Sequence, residues 1–371
     1  MRARALAVLA LLLLPPLGAR AEAAEPVTLV TPLAYGTHMP GLGEPASSLA
    51  KLIEERSGGA LLLDLKQPGD GTKPQEILDK VASGSVDAGF TTASYWSAKL
   101  PAAALFSGFP FGPDAKTYLD WFETGNGRKL YQEMYDHAGL KVHVMPCAFG
   151  GAEAGGWFVK EIKSKEDIKG LRMRIFGLGG RVMARLGATT VLVPGGDVVA
   201  AFAKGQIDAA ELYPPAVDAE LGLKDKIKLI YVPGWHQPET VLELILNKDR
   251  WEALSDHQRG LIEGACLATL QATLEGSAKL QADALATLAK DGVRVENWPE
   301  DGLAALRQAW MAIAKEEGDQ DYFFKAVIDD IEKFRAKSAQ GASQVQPAPT
   351  ASPAPNVSAE PNASAETKAA P

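Results

Sequence analysis

Arg174 and Glu211 are the two charged residues best placed to do chemistry in this chain. Arg174 lies in Gly170-Leu171-Arg172-Met173-Arg174-Ile175-Phe176, where charged and apolar residues alternate as in a strand. Alternation puts Arg172 and Arg174 on one face, opposite Leu171, Met173 and Ile175. Arg174 stands nearer the strand's end, and its planar guanidinium fork matches a carboxylate with two hydrogen bonds. Glu211 follows Ile207-Asp208-Ala209-Ala210, again at a strand end. Both need a partner if a cleft closes over them, because an isolated buried charge is very costly. Enzyme motifs are otherwise scarce. The five histidines form no HExxH pair and there is no phosphate-binding loop. Gly177-Leu178-Gly179-Gly180-Arg181 is half a dinucleotide fingerprint, and it reads better as a helix start packed on a sheet.

The surrounding elements explain why strand ends matter. Strands are expected at 27–31, 61–65 and 171–175, and helices at 46–57 and 74–83, so strands and helices alternate in an α/β architecture. An internal echo links KVASGSVDAG (80–89) with FAKGQIDAA (202–210): a helix stops at Gly84 or Gly205, and an apolar-Asp-Ala strand follows. Two similarly built lobes are implied. In open α/β sheets ligands bind beyond the carboxyl ends of strands. That singles out Thr91, Thr92, Ser94, Tyr95 and Trp96 in one lobe and Glu211, Leu212 and Tyr213 in the other, facing a shared cleft. From 251 to 337 the pattern is mostly helical, with Ser255 as N-cap and a run over 258–290 broken mainly at Gly264 and Gly276. A helix of that length must pack along both lobes or against a second subunit.

Composition sets the outer bounds. The chain has 371 residues, 46% hydrophobic, with 38 basic against 46 acidic side chains and a net charge of −8. That balance argues against nucleic acid as a partner. Cys147 and Cys266 cannot build a disulfide framework or a four-cysteine zinc site, and they read as two buried small hydrophobes rather than a bridge. Residues 1–21 combine a basic start, an apolar run and Ala19-Arg20-Ala21, a signal peptide for export to the periplasm. Residues 338–371 are rich in Ala, Pro and Ser without an aromatic, which reads as a disordered tail.

These pieces together resemble the periplasmic solute-binding proteins of TRAP transporters, in the DctP/TakP branch that takes 2-oxo acids and related monocarboxylates. The resemblance rests on Ser94-Tyr95-Trp96, Phe109-Pro110-Phe111-Gly112, Gly155-Gly156-Trp157-Phe158, the Arg174 strand, Pro194-Gly195-Gly196-Asp197, the segment 205–211, Pro233-Gly234-Trp235-His236 and Asn247-Lys248, in order. It implies a two-lobed periplasmic-binding-protein fold: lobe I over 25–150, lobe II over 151–237, and a return to lobe I with long C-terminal helices over 238–337. It implies no catalysis, and delivery of a small organic acid to separate membrane subunits. Arg174 matches the residue that holds the ligand carboxylate, and Glu153 matches a second ligand contact. Tyr95, Trp96 and Trp235 would form aromatic walls. A bridging cation, sodium or calcium, would be held by Glu211, the carbonyl of Leu212 and Gln237. Relatives include dimers, which leaves pairing through the C-terminal helix open.

Two departures from the family pattern matter. Leu212 replaces a tryptophan, which removes an aromatic wall but keeps the carbonyl. Glu153 replaces a glutamine and adds a negative charge. At 4 Å and an effective dielectric near 20, one such pair is worth roughly 4 kcal/mol before desolvation. Three resolutions are open: Glu153 is protonated, the cation is divalent, or Glu153 occupies Arg174 and the ligand is uncharged. Two carboxylates with amide and carbonyl oxygens suit calcium. A periplasmic enzyme on the same scaffold is the competing reading, with Glu153 or His236 as its general base.

Overall fold

The computed structural model describes residues 25–344, in two groups of strands. In the first, β1 (Val27–Pro32) pairs in parallel with β2 (Leu61–Lys66), and a bridge between Leu33 and Phe90 links this pair to β3 (Ala88–Thr91). Next to β3 stands β10 (Val241–Asn247), antiparallel to it and to β4 (Val142–Phe149). Every residue of β10 is buried, as its near-continuous apolar run requires of a central strand. The second sheet runs β11-β9-β5-β8-β6-β7, formed from Arg294–Asn297, Leu229–Val232, Gly156–Phe158, Ala209–Ala210, Arg172–Arg174 and Thr189–Val191. The two halves of the echo fall in different sheets, β3 in the first and β8 in the second. Gly84 and Gly205 both take the left-handed conformation at the helix stop, with φ of 74° and 62°.

The chain crosses between the sheets at 150–155 and again at 233–240. The two crossings run side by side: the Gly150 amide donates to the Thr240 carbonyl at 2.7 Å, and the Glu153 amide to the Gln237 carbonyl at 3.1 Å. A third link is the helix Asp256–Lys290, begun by a capping box in which Ser255 accepts from the Gln258 amide. It continues straight through Gly264 and Gly276, where a break was expected. Each glycine costs a helix only ~1 kcal/mol. Ile262, Ala265 and Cys266 bury against the first sheet, while Leu288 buries in the second lobe.

Cys147 and Cys266 form a disulfide, contrary to the expectation of two free buried thiols. They lie 119 residues apart in the chain, but β4 and the long helix bring their Cα atoms to 4.3 Å. The C-terminal region also differs from a simple return to lobe I. Strand β11 extends the second sheet beside β9, and helix Glu300–Gln320 packs on helix Gly177–Arg185 of that lobe. Helix Tyr322–Gln344 then returns to the first lobe, running past the expected start of the tail at 338. The expected signal peptide and the remainder of the tail lie outside the described residues. No helix among the described residues is long and apolar enough to cross a membrane.

Candidate functional site

Strands β6 and β8 lie side by side in parallel, with Arg174 opposite Ala210, so Arg174 and Glu211 emerge together at the carboxyl edge of the second sheet. The Glu211 amide donates to the Arg174 carbonyl at 2.9 Å. Arg174 Nη1 donates to Glu211 Oε2 at 3.1 Å and also to its carbonyl, and Nε donates to the Val193 carbonyl at 3.2 Å. The guanidinium carbon stands 5.1 Å from the centre of the Phe176 ring. Nη2 takes no part in these bonds. With side chains 12% and 6% exposed, Arg174 and Glu211 satisfy each other's charge in a nearly dry setting.

The crossover segments supply the opposite wall. His236 Nε2 lies 2.9 Å from Glu153 Oε2 and 3.7 Å from Glu211 Oε1. Gln237 Nε2 donates to Glu153 Oε1 at 2.8 Å and to Thr240 Oγ1 at 2.9 Å. Two glycines make this packing possible. A Cβ on Gly234 would stand 2.1 Å from the Glu153 carbonyl oxygen, and one on Gly179 would stand 2.8 Å from His236 Cβ. The partial glycine motif at 177–180 therefore lets a helix start approach the histidine. Glu153 does not occupy Arg174, which was one of the open resolutions: its partners are His236 and Gln237.

Burial, followed by the charge of Glu211, pushes Glu153 up to about 8. Burial alone would lower His236, but its bonds to Glu153 and Glu211 outweigh this and raise it to about 9. For Glu211 burial works upward, and His236 and Arg174 overcome it, holding the carboxyl below its ordinary range. At neutral pH this leaves Glu153 mostly a neutral acid and pairs the His236 imidazolium with the Glu211 carboxylate, which explains how both acids share one buried space. Sequence reasoning reached His236 only as a possible general base and missed this counter-ion role. The clue was its position beside Gln237.

A cavity of about 900 Å³ joins these groups, and its lining includes Tyr95, Glu153, Arg174, Glu211, Leu212 and Gln237. Trp96 and Trp235 are not among its walls, which corrects their assignment. Trp96 points into the first lobe, where Nε1 donates to Tyr135 Oη at 2.8 Å. Trp235 is 2% exposed and packs against Phe111 and Trp298. The aromatic wall is instead a tyrosine cluster: Tyr95 with Tyr35 and Tyr213. Burial raises the Tyr35 hydroxyl well above its ordinary value and Tyr95 to about 12, so both are neutral hydroxyl groups at neutral pH. Tyr213 was visible as a residue following a strand. Tyr35 follows β1, outside the echoed strands, and carried no such signal.

The donor set suits a cation. Carboxylate oxygens of Glu153 and Glu211 lie within 4.8 Å of one another and of His236 Nε2, and since the imidazolium has no lone pair to give, the oxygens are the ligating atoms. Glu211, the Leu212 carbonyl and the Gln237 amide would add the hard oxygen donors that calcium or sodium prefers. Such a cation supplies positive charge beside Arg174, where a carboxylate and an adjacent oxygen can be drawn together.

Comparison with known proteins agrees with this geometry. The family model described as bacterial extracellular solute-binding protein, family 7 (DctP) matches residues 41–321. A monocarboxylate 2-oxoacid-binding periplasmic protein of Nostoc sp. is 33% identical over 290 residues, covering 78% of this chain and 79% of the relative. Among solved structures, a TRAP periplasmic solute-binding protein of Colwellia psychrerythraea, with bound calcium and pyruvate, is 28% identical with a TM-score of 0.81. It covers 86% of this chain and 98% of its own. A second, from Pseudoalteromonas atlantica with bound sodium and pyruvate, is 26% identical with a TM-score of 0.79, covering 86% of this chain and 97% of its own. A third, from Bordetella bronchiseptica with calcium and picolinate, is 27% identical with a TM-score of 0.80, covering 86% and 95%. With a strand-end arginine facing a carboxylate-rich crossover, and this match over most of its length, the chain belongs to the DctP family of bacterial extracellular solute-binding proteins.

Proposed function

We propose that this protein is the periplasmic receptor of a TRAP-type secondary transporter, capturing a small 2-oxo or 2-hydroxy monocarboxylate together with a cation and delivering it to separate membrane subunits. The observation that carries the reading is Arg174 at the edge of the second sheet, with Nη2 outside its bonds to Glu211 and Val193 and a carboxylate-rich cation site beside it. The ligand carboxylate binds Arg174. The cation is held by Glu211, the Leu212 carbonyl and Gln237, with Glu153 contacting the ligand and Tyr95 walling the cavity.

Glu153 and His236 serve as a hydrogen-bonded pair that sets the charge of the site, not as an acid and base for turnover. Export by the N-terminal segment and pairing of two copies through the long helix complete the proposal. A thermal-shift screen of chelator-dialysed protein tests it, using 2-oxo acids, 2-hydroxy acids, dicarboxylates and neutral molecules, each without cation, with sodium or with calcium. A ligand at 100 times its dissociation constant adds about 2.7 kcal/mol. Cation-dependent stabilisation by monocarboxylates is expected, with the ligand recovered unchanged. A response confined to uncharged molecules would contradict the proposal, as would turnover.

A further inference from the structure

Resting on the reading that a monocarboxylate is held at Arg174, we infer that the acid this site selects carries an aromatic side chain: an aryl-substituted 2-oxo or 2-hydroxy acid rather than pyruvate itself. The cavity of about 900 Å³ lies near the top of the roughly 300–1,000 Å³ that accommodates drug-sized ligands. Pyruvate would leave most of it empty.

This volume is not merely a gap between separated lobes. Tyr35 and Tyr95 follow strands of the first sheet and Tyr213 follows a strand of the second, yet the three rings already meet across the cleft. The Tyr35 and Tyr213 centroids are 6.4 Å apart, edge to face, and those of Tyr35 and Tyr95 are 6.0 Å apart. The space remains with the lobes in contact on that side.

The walls carry both charged and apolar groups. Glu153, Glu211 and His236 gather at the crossover beside Arg174. The lining also carries apolar residues, among them Pro101, Ala104, Leu178 and Leu212. Phe176 also lines the cavity and is 52% exposed, a large ring left uncovered beside a charged centre. An uncovered apolar ring in a concave site marks a place for an apolar partner. An aromatic group suits such a lining: it buries a large area, and its edge can pack against a tyrosine or phenylalanine face.

Calorimetric titration of the chelator-stripped full chain with phenylpyruvate and with pyruvate, each in calcium and in sodium, tests the inference. Phenylpyruvate is expected to bind at least tenfold more tightly, on the order of what added apolar groups earn in a fitted pocket. Pyruvate binding as tightly as phenylpyruvate, or more tightly, would overturn the inference and leave the proposed function standing. Binding of neither acid with either cation would overturn both. Ala104→Leu adds bulk at one of the apolar residues that line the cavity. It should cost phenylpyruvate at least tenfold while pyruvate changes less than twofold; equal losses would show that the ring does not lie there. The two-ligand comparison on the unaltered chain stands even if that variant fails to fold.

Discussion

Glu153 and Glu211 bring two carboxylates into one buried space, and His236 keeps them there. The sequence identified the extra charge at Glu153 but not its counter-ion, because His236 is far from Glu153 in the chain and meets it only where the two crossings run together. Arg174 and Glu211 were legible because alternation and strand ends can be read locally. Trp96 and Trp235 were misread because a neighbouring residue type does not fix which side of a turn faces the cavity. Two outcomes belong to this scale. Arg174→Lys keeps the charge but loses the fork, and pyruvate affinity should fall about 10- to 100-fold, the loss of one charged hydrogen bond worth ~1.5–3 kcal/mol. Titration calorimetry reads this directly, and an unchanged affinity would remove Arg174 from the carboxylate site. Glu153→Gln removes a carboxyl that a bound divalent cation would ionise, so the preference for calcium over sodium, measured as the ratio of pyruvate dissociation constants, should drop at least tenfold. An unchanged ratio would mean that Glu153 does not set the cation's charge.

Among the elements, the central strand and the long helix each carry a feature with a measurable consequence. Glu243 points from β10 into the first lobe, where it is fully buried and accepts hydrogen bonds from Tyr131 and Tyr135. Burial pushes its carboxyl up to about 8, against the downward pull of those two hydroxyls. A carboxyl raised on folding stabilises the fold fully below its unfolded value and loses that contribution as pH rises through the folded value. The contribution from Glu243 should therefore fade between about pH 5 and pH 8. Glu243→Gln should flatten the fall in melting temperature across that window; an equally steep fall would assign it to other groups. The Cys147–Cys266 bridge ties β4 to the long helix. Replacing both cysteines with alanine should cost about 2–5 kcal/mol, as for the closure of a long loop. Denaturant titration in oxidising and reducing buffer measures it, and identical midpoints would show that the bridge adds nothing. The helix ends and strand cores were readable because glycine stops and apolar runs are local signals. The bridge and the joining of β11 to the second sheet were not, because each depends on packing between segments far apart in sequence.

For the molecule as a whole, the paired halves were foreshadowed by the echo at 80–89 and 202–210, each half ending a helix with a left-handed glycine before a strand. What the echo could not convey is how the halves are joined. Two strand-to-strand crossings, one unbroken helix and the passage at 321 between the last two helices join them, and the two strand crossings bear the proposed site residues: Glu153 on one, His236 and Gln237 on the other. On the proposed reading cation and acid bind where the lobes are connected, so occupancy of the site should be felt through the whole fold. The most direct measurement is calorimetric titration of pyruvate into the chelator-stripped protein, first without added cation and then with calcium. The account predicts weak binding without cation and at least tenfold tighter binding with calcium, the acid and the ion stabilising each other beside Arg174. Equal affinity in both, or no pyruvate binding in either, would contradict it.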